Sequence, residues 1–170
     1  MSRYDIVGHE YVEDIEKIRK NYGVPVKYLR IEITESSAIG GSTVMMSILD
    51  KLHVYGYIVE MDDFGSGYSS LNVLKDYQFD VIKIDMRFLS NLESNEKART
   101  LIDCIIHMAN RIDMLTLTEG VESAAQAKFL NQLGCNRLQG YLFGKPIAKN
   151  DLYQRIQNGE LVVSENLLGK

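Results

Sequence analysis

An α/β fold organised around a single parallel sheet is predicted by the order of elements along the 170-residue sequence. Short β-branched runs alternate with longer stretches of helical spacing. No linker or low-complexity insert interrupts them, as expected for strands joined by covering helices in one domain over 1–170. With 45% hydrophobic and 25% charged residues, the chain has enough apolar surface for a packed core.

HEYVEDIEKIRKNY (9–22) carries Tyr11, Val12, Ile15 and Ile18 on one stripe, with Gly23 and Pro25 as the stop, so a helix is expected there. YLRIEIT (28–34) reads as a first strand finishing near Glu32 to Glu35. A helix with Val44, Ile48, Leu52 and Tyr55 in step follows over about 41–55. YIVEM (57–61) is the second strand; it runs into DDFGSGYSS (62–70), too rich in Gly and Ser to continue a regular element. SLNVLKDYQF (70–79) holds a short helix, VIKID (81–85) is the third strand, and 94–111 is helical through Leu101, Ile105, Ile106 and Ala109. MLTLTEG (114–120) is the fourth strand, 123–133 a helix and RLQGYLF (137–143) the fifth strand. NDLYQRIQ (150–157) is a closing helix with Asp151 near its start. A doubly wound sheet and a piece of a (β/α)8 barrel both fit this alternation.

Bulk properties exclude several classes. A net charge of −4 and a pI near 5.4 argue against the broad basic surface that duplex nucleic acid requires. No apolar run approaches the roughly 18 to 20 residues that span a bilayer, and MSRYDIVGHEY lacks the layout of a signal peptide, so a cytoplasmic location without membrane contact is expected. Cys104 and Cys135 have no partner at metal-ligand spacing and read as free thiols. His9, His53 and His107 lie singly in helical patterns and carry no assigned chemistry.

The informative feature is where the charges fall. Glu32 and Glu35, Asp62 and Asp63, Lys83 and Asp85, Glu119 and Glu122, and Gln139 each lie at the C-terminal end of an expected strand. In a parallel fold those ends share one rim, so five separate stretches converge. Taken singly, each group has a structural explanation: Asp-Asp before Gly as turn chemistry, a Glu as helix cap, Lys83 with Asp85 as a surface pair. Like charges on successive strands at the same end favour a functional site, because such carboxylates repel unless cations neutralise them. A donor set of carboxylates and an amide, without Cys or His, suits magnesium or manganese. Adjacent Asp62 and Asp63 would reach two ions about 3.5–4 Å apart, the arrangement used for phosphodiester hydrolysis. Lys83 would polarise the attacking water or balance phosphate charge, and Glu119 is placed to take the water's proton.

Five motifs together carry a family resemblance: E-I-T-E-S at 32–36, D-D-F-G-S-G-Y-S-S at 62–70, K-I-D at 83–85, E-G-V-E at 119–122 and Q-G-Y-L-F-G-K-P at 139–146. In this order and spacing they resemble the EAL phosphodiesterases of bacterial second-messenger signalling. The resemblance implies a TIM-type (β/α) barrel whose C-terminal face hydrolyses cyclic di-GMP to linear pGpG with two magnesium or manganese ions. It implies that Glu32 and Asp62 hold the first metal, with Asp62 bridging, and that Asp63 and Glu119 hold the second. Glu119 would also be the general base, Lys83 would contact the nucleophilic water, and Asp85 would hold Lys83 in place. Glu35 matches the anchor of the 62–70 loop, which in the family also contributes to dimer contacts. Glu122 and Gln139 match inner-shell or water-positioning residues, and Pro146 lies where the family approaches a guanine base.

The sequence departs from the family pattern in lacking the Glu-Ala-Leu tripeptide, the arginine that follows it, and an asparagine ligand. With five strands against the eight of a complete barrel of about 250 residues, the expectation is a partial domain truncated to about its last five strands, strands four to eight, preceded by one helix. Its open edges predict a homo-oligomer joined through an exposed barrel edge or the loop after Asp63, against which sedimentation as a stable monomer would count. The chain alone is expected to be inactive while its parent is an active enzyme. The rivals are a non-catalytic cyclic di-GMP receptor, a dimerisation module and, more distantly, another barrel metalloenzyme.

Overall fold

The structure is a computed structural model that describes residues 11–38, 43–65, 70–90, 92 and 95–160. Five strands, β1 (Arg30–Thr34), β2 (Ile58–Phe64), β3 (Val81–Ile84), β4 (Leu115–Thr118) and β5 (Arg137–Leu138), form one sheet in the order β1-β2-β3-β4-β5. All four pairings are parallel. Helices α1 (Tyr11–Asn21), α2 (Glu35–Ala38), α3 (Thr43–Val54), α4 (Ser70–Asp76), α5 (Glu96–Arg111), α6 (Ala124–Gln132) and α7 (Lys149–Gln157) precede, join and follow them.

Strictly consecutive strand order decides between the two alternatives left by the alternation. A doubly wound sheet needs a reversal of direction, whereas right-handed crossovers that always step the same way put every connecting helix on one face, as in a barrel wall. The pleat follows suit. Ile33, Val59, Met61, Ile82 and Ile84 are fully buried on the helix side, each contributing roughly 1.5–3 kcal/mol. Their neighbours Arg30, Glu32, Glu60, Asp62 and Lys83 point to the other face, where Arg30 pairs with Glu60.

Several expectations shift. In α3 the buried residues are Met45, Ile48, Leu49 and Leu52, with Val44 exposed, and in α5 they are Ile102, Ile106 and Ala109, with Leu101 exposed. Apolar residues stand on both sides of each stripe, and the sheet selects the face one residue on. In α1, Ile18 is exposed and Glu16 takes its place inside. The fifth strand stops at Leu138, because 139–143 turn back on Val121: Val121 N–H donates to the Gln139 carbonyl at 3.0 Å and Leu142 N–H to that of Val121 at 3.0 Å. His9 and the first residues of the 9–22 helix lie outside the described residues. Cys104 is exposed and Cys135 buried, both as free thiols.

Buried Glu16 survives because it is fully engaged. Its carboxylate accepts from Arg19 at 2.7 and 2.9 Å and from the Tyr57 hydroxyl at 2.9 Å, and Lys20 lies 3.2 Å away. The Arg19 hydrogen bonds, ahead of the other partners, hold its pKa down from 4.5 to about 2. A depressed carboxyl pKa adds stability that is complete above 4.5 and is lost as pH falls towards about 2. Urea unfolding between pH 2 and 7 is expected to show this acid limb, and Glu16→Gln to flatten it. An unchanged limb would mean that Glu16 is not paired in solution.

Candidate active site

The open face of the sheet converges on Lys83. Its ammonium, at the end of β3, lies 2.8 Å from Glu32 of β1, 2.9 Å from Asp62 of β2 and 3.0 Å from Glu119 just beyond β4. Period-2 alternation brings Glu32, Asp62 and Lys83 to one face, and a hydrogen bond from Glu119 N–H to the Ile84 carbonyl at 3.1 Å carries Glu119 to the same rim. The lysine side chain is 6% exposed, the three carboxylates 22–50%. Burial on its own would lower the Lys83 pKa, but hydrogen bonds to Glu32, Asp62 and Glu119 outweigh it and hold the ammonium protonated well above its ordinary range.

Asp63 reaches the site by a backbone irregularity. Alternation would send it to the face opposite Asp62, but between the Met61–Ile82 and Phe64–Ile84 pairs β2 spends two residues where β3 spends one, Lys83. The bulge places Asp63 at φ 58°, a left-handed conformation that Asp tolerates better than most residues. Burial, ahead of the charges of Asp62 and Asp85 and a hydrogen bond with Asp85, pushes the Asp63 carboxyl up.

Asp85 differs from its expected role. Instead of steadying Lys83, its carboxylate caps the 3-10 turn Met86–Leu89, accepting from Arg87 N–H at 2.7 Å and from the Arg87 guanidinium at 2.7 and 3.1 Å. Those guanidinium bonds hold the Asp85 pKa low. An acceptor two residues before an arginine is satisfied locally at little entropic cost, which the reading of K-I-D as a pair overlooked. Arg87 is thus a rim residue that the D-x-R spacing reveals in retrospect.

The remaining candidates ring this centre. Glu35 is buried at the start of α2, and its carboxylate accepts from Gly65 N–H at 3.1 Å, where the 62–70 segment leaves the sheet. Gly65 has φ 87° and the Phe88 ring stands 2.5 Å from where a Cβ would be, so any other residue there would strain the backbone and displace the ring. Glu122 and Gln139, both exposed, share with Glu119, Met86 and Tyr141 a cleft of about 260 Å³. Pro146 is exposed and lines a hollow that shares Gln139, Gly140 and Tyr141 with that cleft, at a remove from the Lys83 cluster itself. A larger hollow, about 760 Å³, lies at the opposite end of the strands around Ile58, Asp80 and Leu115 and includes none of the candidates.

Among the described residues no group of three or more His, Cys, Asp or Glu is arranged as a ready metal cage. The carboxylates gather instead around an ammonium ion. Oxygen donors that already share one cation at hydrogen-bond distance have the chemistry to take a hard divalent ion, with Asp63 beside them as a further donor.

A family model described as EAL domain matches residues 1–146. MucR of Pseudomonas aeruginosa, a bifunctional diguanylate cyclase/cyclic di-GMP phosphodiesterase, is 33% identical over 141 residues, 83% of this chain and 21% of that protein. The EAL domain of Mycobacterium smegmatis DcpA superposes with a TM-score of 0.86 at 33% identity, covering 95% of this chain and 73% of that one. Klebsiella pneumoniae BlrP1, solved with manganese and cyclic di-GMP, gives 0.77 at 25% identity over 84% and 36%. The chain spans 18–21% of the length of the first curated relatives it matches. With these neighbours, the consecutive parallel strands are those of an α/β fold of the TIM-barrel type. Among the described residues no helix is long and apolar enough to cross a membrane.

Proposed function

Because this chain belongs to the EAL domain family, we propose that it forms the larger part of the catalytic rim of a cytoplasmic phosphodiesterase that opens cyclic di-GMP to linear pGpG. The observation that carries the proposal is the meeting of Glu32, Asp62 and Glu119, from three stretches of sequence, within 3.0 Å of Lys83. Relatives supply the substrate class: MucR is named for cyclic di-GMP turnover, and BlrP1 holds the same nucleotide with manganese.

In this reading Glu32 and Asp62 would hold one magnesium or manganese ion and Asp63 and Glu119 a second. Bound divalent ions would supply charge neutralisation at the phosphate and an acidified water. Glu119 would take the proton of the attacking water as the water oxygen bonds to phosphorus and the P–O3′ bond breaks, the leaving O3′ taking a proton from solvent. Lys83 orients the water and offsets negative charge developing on the phosphate. Asp85, tied to Arg87, positions Asp63. Glu35 fixes the start of the 62–70 loop, and Glu122, Gln139 and Pro146 form the substrate side. The exposed Tyr141, Phe143, Leu152 and Tyr153, together with edge strands β1 and β5, support self-association as part of the same reading.

A version extended at its N-terminus to include a Glu-Ala-Leu segment is expected to release pGpG from cyclic di-GMP in a manganese-dependent way, while the 170-residue chain is inactive. Chromatographic separation of the nucleotides reads both. Tight binding of cyclic di-GMP by the extended protein without turnover would establish the receptor reading in place of the enzyme.

A further inference from the structure

We propose that Lys83 is the built-in counter-ion of this site, holding Glu32, Asp62 and Glu119 together in the metal-free protein and competing with an incoming divalent cation for the same oxygens. The inference rests on the metal reading above and adds to it a role for the lysine before any substrate arrives. An ammonium has three N–H donors, and three separate carboxylates accept from it here at 2.8, 2.9 and 3.0 Å, so its bonding capacity is filled by the cluster. The arrangement is layered: the lysine is the floor, 6% exposed, and the carboxylates above it are 22–50% exposed and reachable from solvent.

Charge sets the consequence. Three carboxylates and one ammonium leave the cluster at −2, enough to attract a dication, whereas without the lysine the same three carboxylates stand at −3. Lys83 also ties β1, β2 and the end of β4 to β3 across the open face. Removing it therefore has two opposite effects. The metal-free protein loses a tie and gains repulsion, and the metal-binding reaction loses a competitor.

The test is Lys83→Met in the 170-residue chain, followed by thermal unfolding in EDTA and Mn2+ titration by calorimetry. The variant is expected to melt several degrees lower without metal and to bind Mn2+ about tenfold more tightly than the unsubstituted chain. Adding Glu119→Gln to the Lys83→Met background should raise the metal-free melting temperature, whereas in the Lys83 background the same change should leave it nearly unchanged. A Lys83→Met chain that folds only when Mn2+ is present gives the same result in stronger form, and one that stays unfolded at saturating Mn2+ overturns the inference. Equal or weaker Mn2+ binding by the variant overturns the inference alone and leaves the metal reading standing. Absence of Mn2+ binding by either chain overturns the inference, whereas the metal reading stands or falls on the manganese dependence of the N-terminally extended protein.

Discussion

Replacing Glu119 by glutamine in a protein that carries the complete domain is expected to lower kcat for cyclic di-GMP by about 10²- to 10⁴-fold with little change in melting temperature. The expectation follows from what each atom does. Glutamine keeps the side-chain oxygen that now accepts from Lys83 at 3.0 Å, and the Glu119 backbone bond to Ile84 is untouched, so the rim keeps its shape. It loses the ability to take a proton and one negative charge at a metal position. If Glu119 served only to hold Lys83, the substitution would leave turnover nearly intact, because a neutral acceptor holds an ammonium almost as well when two carboxylates remain. Nucleotide chromatography against substrate concentration separates the cases. A fall confined to kcat supports proton transfer, and activity within threefold of the parent would remove Glu119 from the chemistry.

The convergence of Glu32, Asp62, Lys83 and Glu119 was legible because it needs only two rules: parallel strand ends share a rim, and alternate residues share a face. Both act along the chain and leave a trace in residue spacing. Asp63 was legible by adjacency alone. Alternation places it on the wrong face, and the extra residue that brings it back is a property of the β2–β3 register, which neither strand's sequence reveals by itself. Asp85 shows a second limit: a bond available two residues away at Arg87 wins over a more distant lysine. The helix phases went astray where apolar residues flank both sides of a stripe, as Val44 and Met45 or Leu101 and Ile102 do, since periodicity then fits two faces equally and packing on the sheet selects one. Ile18 and Glu16 exchange places for a different reason. A glutamate is excluded from a core by default, and its burial becomes tolerable only once Arg19 and Lys20 of the same helix and the Tyr57 hydroxyl from β2's lead-in engage it together.

Gly140→Ala is expected to be the most destabilising single methyl in the described chain. A Cβ there would stand 2.2 Å from the Val121 carbonyl oxygen, 2.3 Å from its nitrogen and 2.7 Å from its carbonyl carbon. These are backbone atoms, so no side-chain rotation relieves the clash. Val121 is also fixed from both directions, by its N–H to Gln139 at 3.0 Å and by its carbonyl to Leu142 N–H at 3.0 Å. The strand β5 that leads into this turn has only two residues, and so little ladder to resist being pushed off β4. The cost should exceed about 3 kcal/mol in urea unfolding, in the range of overpacked interiors. Gly144→Ala is the control, since an added Cβ there meets nothing within 4 Å, and it should be close to neutral. Gln139 and Glu122 border the cleft that this turn shapes, so Gly140→Ala in a complete domain should also weaken cyclic di-GMP binding while Gly144→Ala does not. Equal stabilities for the two variants would show that Gly140 and Val121 do not approach this closely in solution, and with that the placement of Gln139 at the rim would be lost.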